Sequence, residues 1–158
     1  RIVITLDDGR DLRFLDQRTF GGLTLAPLVD GIPGPVTHIA PDPFEECFDV
    51  DEVARRLCAR RSAIKRSLLD QTLVSGIGNI YADETLWRVR CHPETPCSRL
   101  SQSEAVELLQ TACDVMAEAM SQGGTSFDSL YVNVNGESGW FSRVLDAYGR
   151  EDEPLPPM

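Results

Sequence analysis

The spacing of apolar and polar positions changes character near residue 45. Before that point the period is two: Ile2, Ile4 and Leu6 alternate with Val3 and Thr5, and Leu12 and Phe14 resume the alternation after Asp8-Gly9, a dipeptide that favours a tight hairpin turn. Residues 2–26 therefore read as β, with the apolar run 23–28 able to add a strand. Residues 27–43, rich in proline, read as an ordered connector. Two or three strands are too few to bury both faces of a sheet, and the chain starts with Arg1 rather than Met, so these strands are expected to belong to a larger sandwich.

From residue 49 onward the period is helical. Asp49 and Glu52 have capping-box spacing, and Val53, Leu57, Ile64 and Leu68 follow at intervals of one or two turns. Ser62 offers a restart, which makes this two helices or one kinked helix, ending at Ser75-Gly76. Asn79 opens a helix over residues 79–90, with Ile80, Leu86 and Trp87 as packing residues and His92-Pro93 as its stop. Ser101 and Glu104 form a second capping pair before a long amphipathic helix, whose face is Val106, Leu109, Cys113, Met116 and Met120, and which Gly123-Gly124 terminates. Asn135-Gly136 marks a turn between two short extended stretches. The class expected is α+β.

Chemistry concentrates in residues 68–84, LLDQTLVSGIGNIYADE. Gly76 and Gly78 permit a sharp turn and a close approach of backbone to ligand. The amides at the helix start that follows, with the positive end of its dipole, form a ready anion site. Just upstream, Arg55, Arg56, Arg60, Arg61, Lys65 and Arg66 lie within a stretch that contains no acidic side chain. A glycine turn beside a basic helix points to a phosphodiester backbone. The net charge of −10 runs against this, because nucleic-acid binding rests on neutralising phosphates; the grip must come from that local cluster. At 158 residues, 42% hydrophobic and 25% charged, the chain is expected to be a globular domain of ordinary size, or one plus a fragment. It has neither a membrane-length apolar run nor a signal-peptide pattern. Five scattered cysteines, at 47, 58, 91, 97 and 113, favour reduced thiols and a cytoplasmic location.

The 68–84 segment resembles the helix–two-turns–helix element of the formamidopyrimidine-DNA glycosylase/endonuclease VIII family, which excises oxidised bases. DLRFLDQRTFGG (residues 11–22) is similar to the family's strand and intercalation loop, GGTSFDSLYVNVNGESGWF (123–141) to its lesion-recognition loop, and AYGREDEP (147–154) to the lead-in to its zinc finger. The resemblance implies three parts: residues 1–44 as the end of the N-terminal β-sandwich domain plus connector, 45–150 as a helix–two-turns–helix DNA-binding domain with the lesion loop, and 151–158 as the stub of a zinc finger. It implies base-excision repair by a glycosylase/AP lyase acting on oxidised purines, with double-stranded DNA carrying a damaged or abasic site as partner. A monomer near the bacterial nucleoid, without a small-molecule cofactor, goes with that reading.

Each residue so marked also has a plainer reading. Asn79 reads plainly as an N-cap, a role asparagine favours, and by the resemblance as the family's phosphate contact; the two can coexist, and the phosphate contact is the favoured role. Lys65 is either a solvated helix lysine or a phosphate contact, and Arg61 goes with it; other arginines are expected to pair with Glu45, Glu46 or Asp70. Arg18 and Phe20 lie two apart, on one face if the strand continues. The resemblance makes them the donor and the apolar wedge that replace an extruded base; otherwise Phe20 is core and Arg18 is surface. Thr125, Ser126 and Tyr131 are the lesion-contact candidates in the 123–141 loop. His92 and Cys91 form no metal-like group.

Two departures limit what the resemblance carries over. The family's nucleophile is an N-terminal proline beside a glutamate, and neither has a counterpart here, so no catalytic residue is assigned and this chain alone is expected to be inactive in excision. Where the family's finger begins with cysteines, this chain has Leu155 and Met158. Leucine has no donor atom and a thioether suits softer ions than zinc, so no metal is expected. A natural zincless variant, a degenerate paralogue and an altered tail all fit this. A non-catalytic damage-sensing module is the alternative reading, and an RNA or ribosome partner a second one that competition by RNA would reveal.

Overall fold

Asp8-Gly9 closes a hairpin: β1 (Ile2–Thr5) pairs antiparallel with β2 (Asp11–Phe14), Ile2 opposite Phe14 and Thr5 opposite Asp11, with Gly9 at φ 82°. The computed structural model describes residues 2–16, 20–125 and 139–150. In it the chain is α+β and separates into two units, Arg1–Thr37 and His38–Met158. The apolar run 23–28 adds no strand of its own. Instead β3 (Leu28–Val29) pairs with β4 (Ile32–Pro33) around Asp30-Gly31, both at positive φ (51° and 83°), the signature of a type I′ turn. A second Asp-Gly turn inside the connector thus makes a small hairpin where proline content points to coil. Ile2, Val3, Ile4 and Leu12 of the first hairpin are all exposed.

In the second unit Asp49 caps α1 (Val50–Cys58), its carboxylate accepting from the amides of Asp51 and Glu52 at 3.1 and 3.0 Å. Glu52 does not complete a capping box; it turns to Arg55 instead. After a break comes α2 (Ile64–Leu68). It stops seven residues before Ser75, where periodicity alone places the end. Asp70 is the reason: its Oδ1 accepts from the amide and the hydroxyl of Thr72 at 3.0 and 2.7 Å, a local bond that competes with helix continuation. Two turns follow, then α3 (Asn79–Arg88), which ends with Arg90 at φ 55°.

The long helix α4 (Gln102–Ser121) starts with the complete Ser101–Glu104 capping box. It ends in a Schellman arrangement, Gly124 N–H to Ala119 O at 2.7 Å and Gly123 N–H to Met120 O at 3.1 Å. Its buried face differs from the expected one. Ala105, Leu108, Leu109, Ala112, Val115, Met116 and Ala119 are buried, whereas Val106 and Cys113 are only partly so and Met120 is 59% exposed. Alanines at 105, 112 and 119 repeat every seven residues on the inner face, and their small side chains let α4 close onto α1 and α3. The core they seal contains Leu57, Ile64, Leu68, Leu73, Val74, Ile77 and Leu86.

Among the described residues of this unit one acidic side chain lies inside. Glu84, in the middle of α3, is fully buried, and its carboxylate accepts three backbone amides: Asp146 at 2.9 Å, Ala147 at 2.9 Å and Tyr148 at 2.8 Å. A buried carboxylate is tolerated only with its lone pairs filled, and a turn of successive N–H groups fills them. Beside it Phe141 and Leu145 pack on Val115 and Ala119, with Ile80, Tyr81 and Tyr148 around them. Removing the carboxylate strands three amides at once. Glu84→Ala is expected to lower stability to urea by about 3 kcal/mol, and Glu84→Gln, which keeps one acceptor oxygen, by less. A loss below about 0.5 kcal/mol for the alanine variant would show that the three bonds carry little.

Candidate nucleic-acid interface

Gln71 builds the turn before α3. Its Oε1 accepts from the Gly76 amide at 2.9 Å, and its Nε2 donates to the carbonyls of Leu69 (3.1 Å) and Ile77 (3.0 Å). Gly76 takes φ +85°, a conformation that calls for glycine, and a Cβ there would meet the flexible end of Met116, Cε at 3.0 Å. Gly78 differs. Its φ is −104°, and a Cβ would find no heavy atom of the described residues within 4 Å, so nothing among them demands glycine at this position.

Gly78, not Asn79, is the N-cap of α3, and no side chain caps the helix. The N-cap reading of Asn79 therefore fails: it is the first helical residue, exposed, with its carboxamide unbonded among the described residues. The first intrahelical bond is Ala82 N–H to Gly78 O at 2.9 Å, which leaves the amides of Asn79, Ile80 and Tyr81 without an acceptor among the described residues. No acidic residue occupies the first turn. Three open amides, a helix dipole and the Asn79 carboxamide are together able to hold an anion.

Lys65 reaches this helix from α2, its Nζ lying 2.7 Å from Asp83 Oδ1 and 2.9 Å from Oδ2. Much of the basic cluster is similarly occupied. Arg55 pairs with Glu52 at 2.7 Å and Arg60 with Asp70 at 2.6 Å, while Arg56 donates to the Thr72 carbonyl at 3.0 Å. Arg61 and Arg66 are exposed, and neither is in an ion pair among the described residues. Of the expected partners Asp70 is used; Glu45 and Glu46 take no arginine among the described residues.

Thr125 forms an isolated antiparallel bridge with Trp140. With Trp140 N–H to Gln122 O at 3.0 Å and Phe141 N–H to Gly124 O at 3.2 Å, it ties together the two ends of the 126–138 segment. Arg143 lies over the Trp140 ring, its Cζ 4.1 Å from the centroid, a cation–π contact. Ser126, Tyr131 and the Asn135-Gly136 turn lie outside the described residues, as does Arg18. In the first unit Phe20 is 88% exposed and not in a strand, so it is not core. β2 ends at Phe14, and the one-face argument for the 18/20 pair falls on Arg18, outside the described residues.

Among the described residues no group of His, Cys, Asp or Glu is arranged to hold a metal, and no helix is long and apolar enough to cross a membrane. Leu155 and Met158 lie outside those residues; as a donor set for zinc they do not fit. Burial pushes the Cys58 and Cys113 thiols up, away from thiolate chemistry. Pattern reading missed Glu84, Gln71 and Asp83. Glu84 had a signal, being a carboxylate four residues after Ile80 and three before Trp87, on the apolar stripe of its own helix. Asp83 acts across the fold and Gln71 within a non-repeating turn, so neither leaves a periodic trace.

A profile of the "Formamidopyrimidine-DNA glycosylase H2TH domain" matches residues 39–130. The formamidopyrimidine-DNA glycosylase of Mycolicibacterium vanbaalenii is 61% identical over 158 residues, covering 98% of this chain and 54% of that protein. The one from Rhodococcus jostii is 57% identical over 160 residues, covering 99% and 55%. The chain thus spans about half the length of the curated relatives it matches. Among solved structures, MutM (Fpg) from Thermus thermophilus superposes with a TM-score of 0.79 at 34% identity, covering 94% of this chain and 57% of that one. The Lactococcus lactis Fpg in complex with DNA containing an abasic site gives 0.67 at 35%, covering 75% and 43%.

The turn carries its own pH signature. The Thr72 hydroxyl, then the Arg60 guanidinium and the Thr72 amide, hold the Asp70 carboxyl at about 2, below its ordinary 3.8. A depressed carboxyl stabilises the fold fully above its unfolded value and loses that contribution as pH falls through the folded value. Between pH 5 and pH 2 the wild-type melting temperature is therefore expected to fall more steeply than that of Asp70→Asn. Parallel curves would show that the Asp70 bonds do not hold the turn.

Proposed function

The chain belongs to the formamidopyrimidine-DNA glycosylase family, and from that premise we propose that it is the DNA-gripping, lesion-recognising core of a base-excision-repair glycosylase for oxidised purines. Its partner is duplex DNA with a damaged or abasic site, the kind of DNA bound in the Lactococcus lactis complexes. The observation that carries this is the open start of α3. A backbone phosphate fits against the amides of residues 79–81 and the Asn79 carboxamide, with the space over Gly78 admitting it closely. Lys65 and Arg61 add charge beside it. Neutral amides bind an anion without raising the net charge, which is how a chain at −10 can grip a polyanion.

On this reading residues 1–44 correspond to the end of the family's sandwich domain plus connector, 45–150 to the DNA-binding domain, and 151–158 to a finger stub. Arg18 and Phe20 enter the duplex as donor and wedge, an exposed phenylalanine being suited to replace a stacked base. Thr125, Ser126 and Tyr131 meet the extruded nucleotide, with the loop ends fixed by the 125–140 bridge. The catalytic step is assigned to no residue of this chain, and no cofactor enters. The protein works as a cytoplasmic, nucleoid-associated monomer.

The test is binding to a duplex carrying a stable abasic-site analogue, read by fluorescence anisotropy across a salt series beside an undamaged duplex. The chain is expected to prefer the damaged site with salt-dependent affinity. Asn79→Ala is expected to weaken binding about tenfold, the loss of a hydrogen bond to a charged group. Gly78→Ala is expected to weaken it while leaving the melting temperature unchanged. Affinity indifferent to both substitutions would place the phosphate elsewhere.

A further inference from the structure

We propose that Asp83 restrains the phosphate grip by holding Lys65, and so sets how tightly and how salt-sensitively the chain binds DNA. The inference rests on the reading of α3 as the phosphate site. It starts from a conflict on one helix face. Asn79 and Asp83 are four residues apart in α3, hence one turn apart on the same side. A face whose first turn is free of acids and presents open amides to an anion carries a carboxylate one turn further on. That carboxylate takes both of its oxygens to Lys65 Nζ, at 2.7 and 2.9 Å. The two residues are 18 apart in sequence and on different helices, and the pair is partly shielded, the side chains 30% and 25% exposed. It is a tertiary contact rather than a neighbouring-turn pair of a single helix.

Such a pair changes what Lys65 offers to DNA. The counterions whose release drives phosphate binding come from the DNA, and a lysine already balanced by Asp83 neutralises less phosphate charge and so displaces fewer of them. A phosphate that reaches Lys65 must also either share the ammonium with Asp83 or take its place, and the displaced carboxylate then faces another anion. Arg61 and Arg66, exposed and unpaired among the described residues, carry no such restraint. The arrangement keeps part of the cationic surface in reserve, so that binding leans on the directional amides and Asn79 rather than on charge alone.

The experiment compares wild type, Asp83→Asn, Asp83→Glu, Lys65→Ala and the Asp83→Asn/Lys65→Ala double variant, each as the 158-residue chain, on an abasic-analogue duplex over a salt series. Asp83→Asn is expected to bind about two- to fivefold tighter at low salt and to steepen the slope of log K against log salt by about 0.9, one phosphate contact. Asp83→Glu is expected to keep wild-type behaviour, and the Asp83→Asn gain to vanish in the Lys65→Ala background. Wild-type binding that Asp83→Asn leaves unchanged or weakens overturns the restraint alone. A gain that survives without Lys65 overturns it too, since Asp83 would then act only as a charge of its own. If neither wild type nor Asp83→Asn binds at low salt, the phosphate-site reading falls with it. Melting temperatures check folding throughout, and Asp83→Ser carries the same expectations should Asp83→Asn not fold.

Discussion

A carboxylate removed from water has to be given hydrogen bonds where it lies, and Glu84 receives three, from the consecutive amides of Asp146, Ala147 and Tyr148. Two segments some sixty residues apart in sequence are thereby fixed to each other by one side chain. The 145–148 turn cannot satisfy those amides within itself, and α3 cannot bury Glu84 without them. Around that point Phe141 and Leu145 pack on the inner side of α4, so the region just after the 126–138 segment is set by the same contact. α3, whose open start is the proposed phosphate site, is therefore held in its body by Glu84, while the turn before it is held by Gln71.

Electrostatics in this chain work by local arrangement rather than by total charge. Arg55, Arg60 and Lys65 each have a carboxylate within 3 Å, so half of the six cations in the basic run are already balanced internally. What remains is a small set of groups: open amides at the start of α3, the Asn79 carboxamide, Arg56 on a carbonyl, Arg61 and Arg66 outside any ion pair among the described residues, and Lys65 held by Asp83. Directional donors of this kind recognise the position of an anion more than its charge.

The helical half of the fold was legible because its signals are local. Capping residues Asp49 and Ser101, and the glycine pair ending α4, act on their own neighbours and so show in sequence. The inner face of α4 was misplaced because alanine carries a weak apolar signal, yet Ala105, Ala112 and Ala119 are what allow close helix packing. The end of α2 was misplaced because a side chain, Asp70, outcompetes the helix there. At the site, the glycine turn and Asn79 were visible as a motif. The pairing of Lys65 with Asp83 and the burial of Glu84 are contacts between distant segments, and no periodicity encodes them.

The account stands most directly on the amides at the start of α3. Backbone N–H resonances followed by NMR, while a duplex with an abasic-site analogue is titrated in, would report on them individually. The account predicts that Asn79, Ile80 and Tyr81 shift first and furthest, while amides on the exposed side of α4 near Glu107 and Gln110 stay in place. Binding that moves other regions and leaves residues 79–81 unperturbed would contradict it.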